Sequence, residues 1–318
     1  MKRLLIGLLI AGGLSSCGSV SWTTLEVDQV YPSQVDLPDQ VQRIGLIDRV
    51  ALTEKDQPGN SLCMNSSQFV QRLGEQIAEA DYFEDVILCD SDVSQWERPS
   101  VAELYPLTQA HVEDLCEDLG VDMIVSTERC QTDLISSYGM PEVAAEVYLR
   151  LYVPQREKPM RLVVIRDTIT WDLEEGAELS IKLAREDIMS YMAKKSAEYM
   201  APYWKTVERF YYNDGTVDLR DAASFVAKND WDKAAEIWTG AMNQAQGKQK
   251  AYYAFNLVVY EELRGNMDSA IQKCSELVSS SVAFPEICVV ATQYEQVLRK
   301  RQKDLQHLSI QMNRFESN

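Results

Sequence analysis

The chain has 318 residues, of which 46% are hydrophobic and 25% are charged. These are ordinary globular values, and the length allows two compact domains. The formal net charge of −18 gives a surface that repels phosphate backbones, so we predict that the protein has no nucleic-acid partner. The one dense basic run, Arg299-Lys300-Arg301-Gln302-Lys303, is expected on the solvated face or in the last turn of a helix.

The amino terminus has the pattern of a secretory signal. A basic Met1-Lys2-Arg3 head precedes an apolar run from Leu4 to Ala11, and Leu14-Ser15-Ser16-Cys17 follows. This ending resembles the signal of bacterial lipoproteins, in which the cysteine thiol is acylated and the peptide is cut in front of it. The resemblance implies that residues 1–16 are removed and that acyl chains on Cys17 hold the protein at a membrane. An ordinary cleaved signal and an uncleaved anchor are the alternatives, although the apolar run is short for a membrane span.

Residues 17–40 are interpreted as the acylated cysteine and a tether. Gly18 follows the cysteine directly, and the acidic Glu26 and Asp28 are scattered rather than clustered. In lipoproteins that resemble this chain, a glycine there usually permits transfer to the outer membrane, whereas acidic clusters behind the cysteine mark surface export. The resemblance therefore implies an outer-membrane protein on the periplasmic face, with the cell surface as the alternative.

The segment 41–212 is predicted to form a domain in which strands and helices alternate. The helical spacing of Phe69, Leu73 and Ile77 predicts a helix, and Asn65 lies where its cap is expected. Apolar residues alternate with a period of two from Val143 to Val153, which predicts a strand with one buried face. The predicted elements are, in chain order, a strand at 41–47, the helix after Asn65, a strand at 86–89, a helix from Thr108 to Gly120, strands at 121–125, 143–153 and 161–171, and a helix over 178–201 that Pro202 ends.

This order of elements resembles the small α/β domain of the TolB amino-terminal type, which also occurs in curli-secretion lipoproteins. The resemblance implies a small α/β sandwich with a mixed sheet, and the fold class predicted for the whole chain is α+β. By analogy with the curli-secretion proteins, a subunit of an envelope secretion or assembly complex is one alternative function.

Residues 213–318 carry an internal repeat with an offset of 36 residues, and the turn Asn229-Asp230 in the first copy corresponds to Gly265-Asn266 in the second. The other matched pairs are Ala222 and Val258, Phe225 and Glu261, Ala234 and Ala270, Trp238 and Cys274, and Ala241 and Leu277. The pattern resembles tetratricopeptide repeats, whose period is about 34 residues. It implies an all-α domain of helical hairpins, in which residues 285–312 form a closing helix or helix pair. The two-part layout as a whole resembles an uncharacterised group of Gram-negative outer-membrane lipoproteins.

Six cysteines remain besides Cys17, and sequence alone cannot choose among their pairings. An exported chain meets an oxidising compartment, where disulfides persist. Cys274 and Cys288 are predicted on successive antiparallel helices, so they are the pair expected to form a disulfide. Buried free thiols are the alternative, and this alternative is preferred for the remaining four cysteines.

No sequence pattern points to catalysis. The two histidines, His111 and His307, have no partner at metal-ligand spacing, and the nucleophile, zinc-protease, phosphate-loop and dinucleotide motifs are absent from the sequence. The acidic neighbours at 90–92 and 174–175 are interpreted as solvated turns, because a chain with 49 acidic residues places some of them side by side. We therefore predict a non-catalytic protein with no cofactor and no metal. An enzyme whose carboxylates or cysteines converge only in the fold is the alternative.

Aromatic residues with polar groups suit binding surfaces. Tyr252, Tyr253, Tyr260 and Trp231 lie in the predicted repeats and are candidate partner-binding residues, and the alternative is that they fill the helical hairpins. The loop predicted at 134–141 is a further candidate contact.

Three other aromatic residues, Trp204, Phe210 and Trp238, are assigned to the interior. Taken together, the patterns predict a membrane-tethered scaffold or adaptor that binds a protein or peptide partner through its helical repeats.

Overall fold

The computed structural model describes residues 20–50, 64–89, 105–137, 140–156, 158–171 and 180–313. Cys17, the signal residues and the acidic neighbours at 90–92 and 174–175 lie outside the described residues. The chain forms two compact units. The first contains Ser33–Tyr203 and the residues from Gln311 onward, and the second contains the described residues up to Pro32 and Trp204–Ile310.

The strands are β1 (Trp22–Tyr31), β2 (Arg43–Asp48), β3 (Asp85–Leu88), β4 (Met123–Ser137), β5 (Met140–Tyr152), β6 (Arg161–Thr170) and β7 (Tyr203–Tyr212). The helices are α1 (Ser66–Glu79), α2 (Gln109–Leu119), α3 (Ile181–Met200), α4 (Val217–Val226), α5 (Trp231–Gln244), α6 (Gly247–Leu263), α7 (Met267–Ser280) and α8 (Pro285–Asn313).

The first unit is built on a five-stranded mixed sheet in the order β3-β2-β4-β5-β6. Strand β2 pairs in parallel with both β3 and β4, so Ile44 lies between Val86 and Met123. Strands β4, β5 and β6 are antiparallel. Helices α1 and α2 supply the long crossovers that parallel pairing needs. The predicted fold class, a mixed-sheet α/β domain followed by an all-helical domain, is confirmed.

The hydrophobic core of the first unit lies on both faces of the sheet. On one face, Phe69 and Leu73 of α1 and Met192 of α3 pack in one cluster with alternate residues of β5. On the other face, Leu115 of α2 packs against Ile124 of β4 in a smaller cluster. The predicted alternation is confirmed in β5, where every second residue is buried: Val143, Ala145, Val147, Leu149 and Leu151. On the α2 face, Tyr152 at the end of β5 is buried in the smaller cluster, whereas Ala144, Glu146, Tyr148 and Arg150 of β5 are half-exposed.

Local signals in the sequence mark the helix ends where they were predicted. The Asn65 side chain accepts a hydrogen bond from the backbone N–H of Gln68 at 2.9 Å and begins α1. Thr108 caps α2 in the same way. Gly120 ends α2 in the left-handed conformation at φ 66°, where a residue without a Cβ is strongly favoured.

Two predictions that depended on irregular structure are wrong. The segment at 134–141 is not a loop, because β4 continues to Ser137 and β5 begins at Met140, so most of it is paired strand. The tether predicted at 17–40 contains β1, whose residues pair with β7 in a two-stranded sheet. Polar and apolar residues alternate along β1, which is a strand pattern. Its partner strand, β7, lies almost two hundred residues away in sequence. The observed boundary at Tyr203/Trp204 also differs from the predicted one at 212/213.

The second unit contains the β1–β7 ribbon, helices α4–α7 and most of α8. The 36-residue offset relates its helices, because α5 begins at Trp231 and α7 at Met267. Asn229 (φ 60°) and Gly265 (φ 78°), which are equivalent in the repeat, both adopt the left-handed conformation in the turn before these helices. Residues Pro285–Asn313 form a single long helix, which is the closing-helix alternative.

The disulfide predicted between Cys274 and Cys288 is not present in the structure, where both cysteines are free. The two thiols donate hydrogen bonds to different backbone carbonyls. Cys274 Sγ donates to Ala291 O at 3.3 Å, and Cys288 Sγ donates to Val278 O at 3.8 Å. Cys274 is fully buried, and burial raises the pKa of its thiol to about 12. The thiol therefore stays protonated and acts as a small apolar residue.

The carboxyl-terminal end of α8 contributes to the first unit, which the repeat pattern does not predict. The side chain of Gln311 accepts from Ser33 N at 2.9 Å and donates to Ser33 O at 3.1 Å. The Tyr82 hydroxyl donates to Gln311 O at 3.2 Å. Gln311 is buried, so these bonds replace the solvation that its amide and backbone lose.

Substitution of Asn256 by alanine is predicted to destabilise the second unit. Asn256 on α6 is fully buried, and its side chain accepts from Tyr212 N at 2.8 Å and donates to Tyr212 O at 2.7 Å. Asn256→Ala leaves both backbone groups of β7 without these partners, and we expect a loss of about 2–4 kcal/mol of unfolding free energy, measured by urea denaturation. The exposed Asn243 on α5 is the control, and Asn243→Ala should change stability by less than about 0.5 kcal/mol. Equal effects of the two substitutions would contradict this role of Asn256.

Candidate functional site

The four aromatic residues predicted to bind a partner all lie on helices of the second unit, but their surroundings differ. Trp231 is the first residue of α5, and the three tyrosines lie along α6. Trp231, Tyr252 and Tyr260 are half-buried, whereas Tyr253 is buried. The structure therefore separates one core residue from three that reach the surface.

Tyr253 is a structural residue, which corrects its assignment to a binding surface. Its side chain is 3% exposed, and its hydroxyl lies 2.8 Å from Thr216 Oγ1 at the start of α4. Burial raises the pKa of Tyr253, so the phenol stays neutral in this position. The adjacent Tyr252 points to a different neighbour and packs against Tyr212 of β7, with ring centroids 4.5 Å apart.

The three aromatic residues that were assigned to the interior also differ in their exposure. Trp238 is fully buried and packs against Tyr211 at 6.1 Å, as predicted. Phe210 stacks on Phe255 of α6, with ring centroids 4.8 Å apart. Trp204 is 68% exposed, so its assignment to the interior is wrong. Trp204 is the second residue of β7, so no helical spacing in the sequence could indicate that its side chain is exposed.

A polar and aromatic surface lies where the start of α5 meets the end of α6. We define the α5–α6 surface as Trp231, Asp232, Tyr260 and Arg264. The Tyr260 hydroxyl donates to Asp232 Oδ1 at 2.7 Å, and Arg264 Nε lies 3.8 Å from the same oxygen. The hydrogen bond to Asp232 raises the pKa of Tyr260, which keeps the phenol protonated. The Asp232 carboxylate thus orients the phenol and lies near the exposed guanidinium group.

Local sequence explains how these side chains meet. The Asp230 side chain caps α5 by accepting from Lys233 N at 3.3 Å, so Trp231 and Asp232 occupy the first turn. Tyr260 and Arg264 are four residues apart near the end of α6 and therefore lie on one side of that helix. The Trp231 ring packs against the rings of Tyr211 and Trp238, with centroid distances of 5.7 and 6.2 Å. The surface is supported by packed aromatic residues and exposes charged and aromatic groups together.

The second unit also contains a buried charge cluster that the sequence analysis did not identify. Glu262 on α6 accepts from both Nε and Nη2 of Arg209 on β7, at 2.9 and 2.7 Å. It also accepts from Gln29 on β1 at 3.3 Å and from the Tyr294 hydroxyl on α8. One signal was available, because Glu262 continues the helical spacing of Phe255 and Val259, which are core residues. Since all of its members are nearly enclosed, this cluster supports the fold and offers no access to a substrate.

The first unit has a second buried cluster at the carboxyl ends of its parallel strands. Arg49, which follows β2, donates to Glu128 Oε1 at 2.7 Å, and both side chains are fully buried. Ser126 Oγ donates to the same oxygen at 2.8 Å. A register shift between Thr127 and Arg129 places the extra residue Glu128 in the β4 bulge. Ligands in α/β sheets often bind at this edge, but here Arg49 and Glu128 pair with each other away from solvent.

Neither metal nor membrane-spanning features are found in the described part of the chain. Within it, no group of three or more histidine, cysteine, aspartate and glutamate residues is arranged to hold a metal ion. No helix in the described ranges is long and apolar enough to cross a bilayer. His111 lies in the first turn of α2 and His307 on α8.

Tyr294→Phe is predicted to weaken the dependence of stability on alkaline pH. Burial, together with the neighbouring Glu262 carboxylate, raises the pKa of Tyr294 well above its ordinary value. The unfolded chain releases this proton above about pH 10 while the folded chain keeps it, so stability is complete below that pH and falls as the pH rises through the folded pKa. Urea unfolding between about pH 9 and pH 11 should therefore show a smaller loss of stability in Tyr294→Phe than in the wild type.

The control for this measurement is Tyr105→Phe, because Tyr105 is an exposed residue of the first unit. It should retain the wild-type pH dependence. If Tyr294→Phe and Tyr105→Phe gave the same profile, Tyr294 would not be the source of the effect.

Comparison with solved structures gives only distant similarity. The hypothetical protein CT253 from Chlamydia trachomatis matches with a TM-score of 0.33 and 10% identity, covering 50% of this chain and 97% of that one. The PelC dodecamer from Paraburkholderia phytofirmans matches with a TM-score of 0.29 and 11% identity, covering 57% and 99%. A minor lipoprotein from Acinetobacter baumannii matches with a TM-score of 0.28 and 7% identity, covering 49% and 90%. TM-scores this low carry no inference about this chain.

The search of curated proteins found no match. Two family models match the sequence. The domain of unknown function DUF6340 matches residues 220–300, within the helical unit. The domain of unknown function DUF8603 matches residues 41–212, which is more than half of the chain. The chain therefore belongs to the DUF8603 family.

Proposed function

We propose that this protein is a lipid-anchored outer-membrane protein that acts as a non-catalytic scaffold and binds a protein or peptide partner through its helical unit. The anchor is acylated Cys17, and the binding region is the α5–α6 surface. On this proposal the periplasmic face of the outer membrane is the location, and no cofactor takes part.

The anchor is supported by the residues in front of Cys17. A basic head, an apolar run and Leu14-Ser15-Ser16-Cys17 together have the order of a lipoprotein signal. A single acyl chain gives only marginal membrane binding, whereas several chains hold a protein stably. A body with a net charge of −18 would gain little from attraction to anionic lipids, so acyl chains would have to supply the affinity.

The observation that carries the binding proposal is the arrangement of Tyr260, Asp232 and Arg264 beside Trp231. Tyrosine, tryptophan and arginine are the residues that contribute most to binding in protein interfaces. Here they are exposed in part, and Asp232 holds the Tyr260 hydroxyl in one orientation before any partner arrives. Such preorganisation reduces the entropy lost on binding. The half-exposed indole supplies apolar area, and the guanidinium group supplies hydrogen-bond donors for a peptide backbone or a carboxylate.

The charged clusters elsewhere support a non-catalytic role. The carboxylates of Glu128 and Glu262, which are the most deeply buried ones described, are each bound by an arginine. A general acid or base must reach a proton of its substrate, and neither group is exposed.

Cys17→Ser is predicted to release the protein from membranes. Without the thiol there is no acceptor for the acyl chains, and cleavage in front of Cys17 should fail as well. Fractionation followed by mass measurement should show loss of the lipid mass and of membrane retention that resists high salt. If Cys17→Ser remained in the membrane fraction with wild-type mass, the lipid anchor would be wrong.

The double substitution Tyr260→Ala with Arg264→Ala is predicted to abolish partner binding while leaving the fold intact. Both side chains are partly exposed, so thermal unfolding should stay close to wild type. Crosslinking in membranes, read out by mass spectrometry, should recover a partner with the wild type and at least about tenfold less with the double variant. Trp204→Ala is the matched control, because Trp204 is an exposed aromatic residue outside the α5–α6 surface. Equal recovery by all three proteins would exclude this surface as the binding region.

A further inference from the structure

A small open cavity of about 250 Å³ lies between α1 and α3 in the first unit. Its lining residues are Arg72 and Gln76 from α1 and Ser190, Tyr191 and Lys194 from α3. Both helices pack on the same face of the sheet, so the cavity floor rests on the core of the unit. We propose that this cavity binds a small anion that carries a carboxylate or a phosphate group.

The two walls present matching pairs of polar side chains. Arg72 and Gln76 are four residues apart on α1, and Ser190 and Lys194 are four residues apart on α3, so each pair projects from one side of its helix. Each wall supplies one cation and one neutral hydrogen-bond donor. The four side chains together offer guanidinium, ammonium, amide and hydroxyl donors to a ligand between them. Carboxylates and phosphates are the groups that accept several such bonds at once.

The floor of the cavity is a tyrosine held in one orientation. The Tyr191 hydroxyl donates to Asp167 on β6, and the Lys195 ammonium lies 5.7 Å from the centre of its ring. Burial, followed by the bond to Asp167, raises the pKa of Tyr191, so the phenol remains neutral. A ligand would therefore rest on a fixed neutral ring whose hydroxyl is already bound to the Asp167 carboxylate.

The two cationic side chains of this cavity make few ion pairs or hydrogen bonds within the described part of the chain. Arg72 lies 3.8 Å from Glu75, a long contact between two half-exposed side chains. Lys194 and Ser190 have no ion-pair or hydrogen-bond partner among the described residues. In a chain with a net charge of −18, the lining of this cavity holds two cations and no carboxylate.

Four carboxylates lie next to the cavity and contact its lining residues or their neighbours. Glu75 accepts from Gln71 at 3.2 Å, Glu79 accepts from Gln76 at 3.0 Å and Asp167 accepts from Tyr191. Glu198, on the next turn of α3 after Lys194, acts on the pKa of Tyr191 and has partners of its own. None of these four lines the cavity, so they limit the affinity without filling the site.

The test uses the full chain labelled with ¹⁵N and titrated at constant ionic strength with inorganic phosphate, with acetate and with chloride. Saturable shifts of the Ser190 and Lys194 amide signals are expected with phosphate or acetate and not with chloride. Arg72→Gln and Lys194→Gln should each weaken binding about tenfold, because each removes a charge-assisted bond. Lys182→Gln is the matched control, since Lys182 is an exposed lysine of α3 outside the cavity.

A second arm distinguishes a free anion from a lipid headgroup. Vesicles of phosphatidylglycerol replace inorganic phosphate, and vesicles of phosphatidylcholine are the reference. Preference for phosphatidylglycerol that disappears in Arg72→Gln and Lys194→Gln would support the site with a lipid as its source. The proposal is overturned by linear shifts that chloride reproduces, or by unchanged binding of every probe in both cavity variants.

Discussion

The buried carboxylate of Glu262 is the constraint on which the second unit depends. A lone charge in a core is costly, so Glu262 has to be matched by Arg209 and by the hydroxyl of Tyr294. These partners come from β7 and α8, and Gln29 on β1 adds a further donor. One charge therefore specifies how four separate elements meet. Removing a single partner from such a buried pair typically costs about 3–5 kcal/mol, whereas an apolar replacement of the whole pair is often neutral. The cluster accordingly selects one arrangement of the ribbon on the helices more than it adds net stability.

The first unit also contains a buried pair of an arginine and a glutamate, at one edge of its sheet. Arg49 and Glu128 are fully buried where the parallel pairing of β2 with β4 ends, and a bulge in β4 supplies the position of Glu128. In both units, therefore, the most buried acids are structural groups with arginine partners. Two sets of polar groups that other molecules can reach lie on helices, at the α5–α6 surface and between α1 and α3.

Several features of the fold were predicted from the sequence because each depends on residues close together in the chain. The alternation in β5, the caps Asn65 and Thr108, and the left-handed Gly120 are local signals that the structure retains. The repeat offset of 36 residues also placed Asn229 and Gly265 at equivalent turns. For the candidate site, the same kind of pattern selected Trp231 and Tyr260, but it could not separate Tyr252 from its buried neighbour Tyr253. Adjacent residues on a helix differ in direction by about a quarter turn, and only the neighbouring strand and helix decide which one is enclosed.

The sequence by itself determined the fold class, the approximate bounds of most elements of the first unit and several helix ends, because these depend on periodicity and on backbone conformation. Only the tertiary structure decided that β1 pairs with β7, that Glu262 meets Arg209, that Gln311 serves the first unit and that Cys274 and Cys288 stay apart. Each of these depends on contacts between residues distant in sequence or on the direction of a side chain, which no local pattern records. Long-range pairing is set by the joint requirement that buried polar groups find partners and that apolar faces close on one another.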